Sequence, residues 1–227
     1  MDSSLTRGLY RDITDLAHDS PSWLQHAAEV WTEAGLLLFG VLFVVAWWRE
    51  RTGPARAVAV AVLAPLATAT GYVVSESLKS LFDEERPCRT VKDAAASLVE
   101  CPPTGDWSFP SNHASIAGAA AVALVLAWPR IAALVVPMAL LMAFSRVFVG
   151  VHYPHDVAVG LVLGGFVTVV FVRVLTRPAT ALLTSMRTSR TGVIAWFAGP
   201  GPAAGDGTAA AGRRGRGRGR SGASHRR

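Results

Sequence analysis

The chain has 227 residues, of which 51% are hydrophobic and 17% are charged, and its mean hydropathy is +0.35. This composition excludes an ordinary soluble domain and is typical of a small integral membrane protein. The net charge of +6 does not describe the whole chain, because the last sixteen residues carry seven arginines and no acid, which leaves the remainder close to neutral.

The first nineteen residues predict an amphipathic helix. Apolar side chains recur at helical spacing, at Leu5, Leu9, Ile13 and Leu16. Such a helix can lie on a membrane surface or pack on the protein's own surface, and the sequence leaves both arrangements open. The segment lacks the apolar stretch of a secretory signal peptide, so none is expected here. We take 1–30 as an N-terminal interfacial segment.

Five apolar segments follow, each close to the roughly 20 residues that a helix needs to cross the hydrocarbon core of a membrane. They cover about 31–48, 55–82, 112–128, 130–150 and 156–176. The predicted fold is therefore an all-α transmembrane bundle of about five spanning helices, preceded by the amphipathic helix. A further apolar segment at 192–198 is too short to span and is expected at the membrane interface.

Composition also divides the chain into regions. The apolar segments define a transmembrane domain at 31–180, which is followed by a juxtamembrane segment at 181–200. Residues 201–227 are rich in glycine and arginine and predict a disordered tail. Contact with anionic lipid is a better prediction for this tail than nucleic-acid binding, because each arginine near such a surface contributes about 1 kcal/mol.

Arginines in the connecting segments predict the orientation of the bundle. They lie at the junctions after the first and third apolar segments and around and after the end of the fifth, at Arg49, Arg51, Arg56, Arg130, Arg173, Arg177, Arg187 and Arg190. These ends are expected to face the cytoplasm, so that 83–111 and 145–156 face the extracytoplasmic side of a cell membrane. Cys88 and Cys101 would then share an oxidising compartment, which predicts a disulfide; two unpaired thiols are the alternative.

Three polar clusters fall on the predicted extracytoplasmic side. They are KSLFDEERP at 79–87, FPSNHAS at 109–115 and SRVFVGVHYPHD at 145–156. In the first cluster, Lys79 and Arg86 are seven residues apart and are predicted to project from one face of a helix. In the second, Pro110 and Ser111 predict a helix start, whose free backbone N–H groups can bind an anion.

Together the clusters contain the groups that bind a multiply charged oxyanion. These are Lys79, Arg86, Arg146, Ser111 and the backbone N–H groups near Asn112. Two histidines, His113 and His152, indicate displacement at phosphorus, in which one imidazole attacks and the other gives a proton to the leaving oxygen. Asp156 lies four residues after His152 and argues for His152 as the nucleophile. We expect no metal and no cofactor, because the fixed cations can stabilise the charge.

The clusters also carry a resemblance to a known family. They match K-x6-R-P, P-S-x-H and S-R-x5-H-x3-D, and in this order they resemble the signature motifs of the type 2 phosphatidic acid phosphatase (PAP2) family. The resemblance implies a helical core like that of membrane lipid phosphatases and of the related vanadium haloperoxidases. One position departs from the pattern, because the second motif usually has glycine where this chain has Asn112.

The resemblance also implies roles for individual residues. His152 would be the nucleophile that forms a phosphohistidine, Asp156 would orient it, and His113 would be the general acid. The phosphate would be bound by Lys79, Arg86, Ser111, Arg146 and the backbone N–H of Asn112. His155 is expected to be a surface residue whose ring points away from His152 and Asp156.

A site that opens near lipid headgroups predicts a lipid phosphate as the substrate. The leading candidate is undecaprenyl diphosphate or another polyprenyl phosphate. Phosphatidic acid, phosphatidylglycerol phosphate and a polyprenyl phosphosugar are the alternatives. A vanadate-dependent haloperoxidase and a non-catalytic lipid-phosphate binder would use the same oxyanion pocket, and the membrane setting favours lipid hydrolysis over the haloperoxidase.

Overall fold

The computed structural model describes residues 4–202 and is all-helical over that range, which confirms the predicted fold class. The helices are α1 (Ser4–Asp19), α2 (Ser22–Glu50), α3 (Ala55–Phe82), α4 (Pro87–Thr90), α5 (Asn112–Ala127), α6 (Ala132–Phe148), α7 (Pro154–Arg187) and α8 (Gly192–Ala198), with a 3₁₀ turn at Pro129–Ile131. Beyond its first two residues, the tail predicted at 201–227 lies outside the described range.

Four of these helices are long and apolar enough to cross a membrane: α2, α3, α7, and α6 taken together with the 3₁₀ turn that precedes it. The protein is therefore a multi-pass membrane bundle. The remaining predicted span is α5, whose 16 residues extend only about 24 Å. This helix packs against α3, α6 and α7 and buries mostly alanine and glycine. Small side chains allow it to occupy the interior of the bundle.

The backbones of α5 and α7 approach each other closely. A Cβ atom on Gly118 would lie 2.3 Å from the carbonyl oxygen of Leu161, and one on Gly164 would lie 2.0 Å from that of Ser115. Only glycine fits at these two positions. The close approach places the first turn of α5 beside the first turn of α7, where Ser111 N–H donates to the Asp156 carbonyl oxygen at 3.1 Å.

Two helices extend beyond the apolar segments that hydropathy predicts. The second helix begins at Ser22 rather than near residue 31, and α7 continues to Arg187 rather than ending near 176. In the added turns of α7, Leu183 is buried against Val58 of α3 and Ala198 of α8. Contact with protein rather than hydrocarbon therefore stabilises these turns, which a hydropathy pattern does not reveal.

The amphipathic helix α1 packs on the protein itself, which is one of the two arrangements that the sequence left open. Tyr10 is buried, and its hydroxyl donates to the Gly150 carbonyl oxygen at 2.9 Å. Arg11 forms an ion pair with Asp93. Leu9 remains 52% exposed, so the outer face of α1 carries apolar side chains beside exposed acidic residues such as Asp12 and Asp15.

The connecting segments form the two ends of the bundle. The site end contains 83–111, 149–153 and the first turns of α5 and α7, which hydrogen bonds join to one another. A disulfide between Cys88 and Cys101 closes a loop at this end. The arginine end contains 51–54 and 188–201. All three polar clusters thus lie at one end of the molecule.

Candidate active site

The end of α3 brings Lys79 and Arg86 together. The helix ends at Phe82, and Asp83 adopts a left-handed conformation with φ 45° that turns the chain. Arg86 then lies in an extended segment, so the prediction that both side chains project from one helix was wrong. Both are buried and contact one carboxylate, because Asp106 Oδ1 lies 2.9 Å from Lys79 Nζ and 3.0 Å from Arg86 Nη2.

The first turn of α5 carries Ser111 and Asn112. Ser111 is the N-cap, fully buried, and its Oγ accepts from the Ala114 N–H at 3.5 Å. The Asn112 side chain turns toward α3, where its amide contacts Glu76 and its oxygen accepts from Ser75 Oγ at 2.8 Å. The phosphate contact predicted for Asn112 is therefore one that its backbone alone would make.

His113 and Arg146 both face Glu33 of α2. His113 Nε2 lies 3.5 Å, and Arg146 Nη1 lies 3.7 Å, from Glu33 Oε1. Arg146 is buried in the last turn of α6 and donates to Thr32 Oγ1 at 2.7 Å. The side chain of Glu33 is 72% exposed. His113, the predicted general acid, and Arg146, a predicted phosphate ligand, therefore lie side by side. Both contact the solvent-exposed carboxylate of Glu33.

His152 lies in the turn before α7 and is 2% exposed. Its Nδ1 is 3.3 Å from Asp156 Oδ2, and its Nε2 is 3.1 Å from Arg86 Nη1. Asp156, in the first turn of α7, also accepts from the Tyr153 N–H at 2.8 Å. Burial lowers the pKa of His152 well below its ordinary value, and the charge of Arg86 lowers it further. The ring is therefore neutral, with one nitrogen facing a carboxylate and the other facing the cations.

Ser108 belongs to this arrangement, although sequence reasoning missed it. Its fully buried Oγ donates to Asp156 Oδ2 and lies 3.3 Å from His152 Nδ1. Its backbone N–H donates to the Glu84 carbonyl oxygen at 2.7 Å. A single serine shortly before the second motif carries no chemical signal, because its role depends on a contact with Asp156, 48 residues away.

Asp106 and Glu33 were also missed as site residues. Burial opposes ionisation of Asp106, but the hydrogen bond from Lys79 and the charges of Arg86 and Lys79 outweigh it, and the pKa of Asp106 is lowered. Asp106 thus holds a negative oxygen between two cations, where a phosphate oxygen could bind. Because the side chains of Asp106 and Glu33 are 41% and 72% exposed, an incoming phosphate can displace them.

His155 contacts the site, so the prediction that its ring points away was wrong. Its Nε2 lies 3.2 Å from Asp156 Oδ1 and 3.1 Å from Glu84 Oε1. The prediction assumed a regular helix through the third motif, whereas α7 begins only at Pro154. Within residues 4–202, these three side chains form a group that could hold a metal ion, since their ligand atoms all lie within 4.8 Å of one another.

An apolar cavity of about 520 Å³ lies beside the polar site, between α1, α2 and α6. Leu24, Trp31, Phe144 and Phe148 form part of its wall. Trp31 directly precedes the Thr32–Glu33 pair that contacts Arg146, and Phe148 follows Arg146 by two residues. The cavity therefore lies on the same turns of α2 and α6 as the cationic side of the site, and its lining suits a hydrocarbon chain.

Comparison with known proteins identifies a family and a similar fold. Residues 60–179, about half of the chain, match the model of the PAP2 superfamily. The structure of this chain is similar to the crystal structure of Aquifex aeolicus LpxE. The TM-score is 0.60 and the sequence identity is 25%, over 74% of this chain and 95% of the LpxE chain.

Two curated relatives are similar over part of their length. The undecaprenyl-diphosphatase of Sulfolobus acidocaldarius is 38% identical over 103 residues, 45% of this chain and 48% of the relative. The decaprenylphosphoryl-5-phosphoribose phosphatase of Mycobacterium tuberculosis is 38% identical over 98 residues, 42% of this chain and 50% of the relative. The chain thus spans about half the length of each.

Proposed function

This chain belongs to the PAP2 superfamily, and on that premise we propose that it is a membrane phosphatase that hydrolyses the phosphate monoester or diphosphate of a lipid. One observation carries the proposal. The neutral ring of His152 has a carboxylate at Nδ1 and a guanidinium at Nε2, within a group of buried cations. Phosphoryl transfer needs a nucleophile that is oriented by a neighbouring group and faces a site that binds the phosphoryl oxygens. Here the Asp156 carboxylate orients the His152 ring.

The reaction has two steps. His152 Nε2 attacks phosphorus, a P–N bond forms, and the bond to the leaving oxygen breaks while His113 gives that oxygen a proton. Water then attacks the phosphohistidine, His113 takes the proton of the water, and the P–N bond breaks to release phosphate. Asp156 stabilises the positive charge that develops on His152 during attack. Lys79, Arg86 and Arg146 replace their carboxylate partners with phosphoryl oxygens and supply the fixed positive charge.

The substrate class proposed first is a polyprenyl diphosphate, such as undecaprenyl diphosphate. Its support is the similarity to an undecaprenyl-diphosphatase and the apolar cavity whose wall includes Ser145, the neighbour of Arg146 in the chain. A polyprenyl phosphosugar is the second candidate, which the similarity to a decaprenylphosphoryl-5-phosphoribose phosphatase favours. Phosphatidic acid and phosphatidylglycerol phosphate carry the same phosphate group on a lipid and complete the panel to be tested.

The proposed location is a cell membrane, with the site end on the extracytoplasmic side and the tail in the cytoplasm. The arginines support this orientation, because Arg51, Arg56 and Arg187 lie at or near the end of the bundle opposite to the site. The disulfide between Cys88 and Cys101 at the site end is consistent with an oxidising compartment.

The test is phosphate release by the purified full-length protein in detergent with EDTA present. The four lipid classes named above are compared for the wild type, for His152→Ala, and for His26→Ala as a matched control on an exposed histidine of α2. We expect release by the wild type and the control, and a loss of about a thousandfold or more in His152→Ala. The rank order of the lipids identifies the substrate class.

Two results would contradict the proposal in different ways. Release that His152→Ala leaves intact would exclude His152 as the nucleophile. No release from any lipid, together with tight vanadate binding, would instead identify a lipid-phosphate-binding protein without activity.

A further inference from the structure

We propose that His155 is a positioning residue that holds Asp156 in place, and that α1 holds His155 through Thr6, so that the N-terminal helix is part of the catalytic framework. The inference rests on the proposed function. It concerns a helix that lies outside the matched family region of 60–179.

Both nitrogens of the His155 ring and one of its faces contact other residues. Its Nε2 contacts Glu84 Oε1 at 3.1 Å and Asp156 Oδ1 at 3.2 Å, and its Nδ1 is 2.6 Å from Thr6 Oγ1. The ring stacks on Tyr153, with 5.3 Å between centroids and 18° between planes. When the Thr6 hydroxyl donates to Nδ1, the hydrogen on Nε2 is directed at Glu84 Oε1, and Asp156 Oδ1 lies next to the same nitrogen.

His155 contacts Oδ1 of Asp156, the carboxylate oxygen that the other site residues leave free. Asp156 Oδ2 is occupied by Ser108, by the Tyr153 N–H and by His152 Nδ1. Within residues 4–202, the buried Asp156 Oδ1 accepts no hydrogen bond, and its ion-pair contact is with His155 Nε2 at 3.2 Å. A buried carboxylate held at one oxygen can rotate, whereas contacts at both oxygens fix its plane. His155 thereby keeps Oδ2 in line with the His152 ring.

The N-terminal helix supports the same turn at a second point. The Tyr10 hydroxyl donates to the Gly150 carbonyl oxygen at 2.9 Å, and the Tyr10 ring lies 5.7 Å from that of Tyr153. Gly150 and Tyr153 are on either side of His152 in the chain. Two residues of one helix face, Thr6 and Tyr10, therefore contact the turn that presents the nucleophile.

The test uses substitutions that separate hydrogen bonding from packing. His155→Phe keeps an aromatic ring against Tyr153 but removes both ring nitrogens, whereas His155→Gln restores a donor near the position of Nε2. Thr6→Val removes the hydroxyl that contacts His155 and keeps the shape of the side chain. Thr14→Val is the matched control, because the Thr14 hydroxyl is also buried on α1 but bonds to carbonyl oxygens of α1 itself.

We expect kcat to fall roughly tenfold in His155→Phe with KM unchanged, because the nucleophile is misdirected while the phosphate ligands stay in place. His155→Gln should recover to within about threefold of the wild type, and Thr6→Val should lose about threefold. Thr14→Val should keep the wild-type kcat. Melting temperatures in detergent establish which variants are folded, and Thr6→Val decides the question if His155→Phe does not fold.

Three outcomes would overturn the inference. The first is wild-type kcat in both His155→Phe and Thr6→Val. The second is a raised KM at unchanged kcat, which would place His155 in substrate binding. The third is inactivation of the wild type by EDTA with recovery on added Zn²⁺, which would make Glu84, His155 and Asp156 a metal site.

A second readout keeps this inference separate from the proposed function. If the wild type releases no phosphate from any lipid, the proposed function fails, and ¹⁵N NMR of labelled histidine rings decides the positioning claim. The His152 ring signals should move in His155→Phe and Thr6→Val but not in Thr14→Val. Unchanged His152 signals in the first two variants would refute the claim.

Discussion

Both ends of the bundle contain buried arginines, but the arginines contact different kinds of partner at the two ends. At the arginine end, Arg51 donates to the Trp196 carbonyl oxygen and lies 4.6 Å from the Trp48 ring centroid and 4.4 Å from that of Trp196. Arg187 donates to the Gly53 carbonyl oxygen at 2.8 Å. At the site end, Arg86 also donates to the backbone carbonyl oxygens of Asp106 and Val151, but the cations there contact in addition side-chain carboxylates that solvent reaches.

This difference separates a structural cluster from a binding site. Backbone carbonyls and aromatic rings are parts of packed helices and turns. An anion could replace them as partners of an arginine only if these elements unfolded locally. An exposed carboxylate can leave when a phosphate arrives, because its replacement carries more charge and keeps the hydrogen bonds of the cations. Loss of activity should therefore be confined to substitutions at the site end, and the following experiments test that separation.

Among the experiments that compare the two ends, the largest effect is expected for Arg86→Lys. A lysine keeps the charge but lacks the planar pair of donors that reaches both the phosphate position and His152. We expect kcat/KM to fall by a factor of about 10² to 10³. The control is Arg51→Lys at the arginine end, which should keep wild-type kcat/KM. Equal losses in both variants would mean that the two clusters do not differ in function.

Ser108→Ala should have the next largest effect. The substitution removes the hydroxyl that contacts both Asp156 and His152, so the carboxylate and the ring lose part of their alignment. We expect a fall in kcat of roughly tenfold with little change in KM, measured by steady-state kinetics. A changed KM at constant kcat would instead assign Ser108 to substrate binding.

Asp106→Asn is expected to strengthen anion binding. The substitution removes the negative charge that competes with phosphate for Lys79 and Arg86. Inhibition constants for orthovanadate and inorganic phosphate should fall by a few-fold, since one paired charge near solvent contributes up to about 1 kcal/mol. Weaker inhibition would show that Asp106 organises the two cations rather than competing with the ligand.

The pH dependence should reflect the buried state of His152. A lowered pKa keeps the attacking ring neutral below its ordinary value of 6.5, so acidification through that value should not remove the nucleophile. We expect kcat/KM, corrected for ionisation of the substrate, to persist on the acid side of pH 6.5, because the His152 ring stays neutral there. Loss of the nucleophile centred near pH 6.5 would contradict the buried, cation-flanked geometry.

The smallest effect on activity is expected for Arg51→Met. The substitution removes the hydrogen bond to Trp196 and the contacts with tryptophan rings, which should destabilise the fold by about 1–2 kcal/mol. The melting temperature in detergent should fall by a few degrees. Phosphate release by the folded protein should stay within about twofold of the wild type. Activity lost without any change in melting temperature would link the arginine end to the chemistry.

Much of the fold could be predicted because hydrophobic length and loop charge act locally. The apolar segment 55–82 coincides with α3, and the short segment 192–198 coincides with α8. Polar residues were also correctly assigned to one end of the bundle, because antiparallel helices alternate their ends. What failed was the detail of the turns: Arg86 is not on α3, and His155 is not on a helix that continues through His152.

The sequence by itself determined the residue types that can bind and attack a phosphate, since these lie in short motifs whose spacing survives any arrangement of the helices. The tertiary structure alone decided which side chains complete them. Ser108, Asp106, Glu33 and Thr6 reach the motif residues from other elements. Their positions depend on the close packing of α5 on α7 and on the docking of α1, and such long-range contacts leave no periodic signal in a single chain.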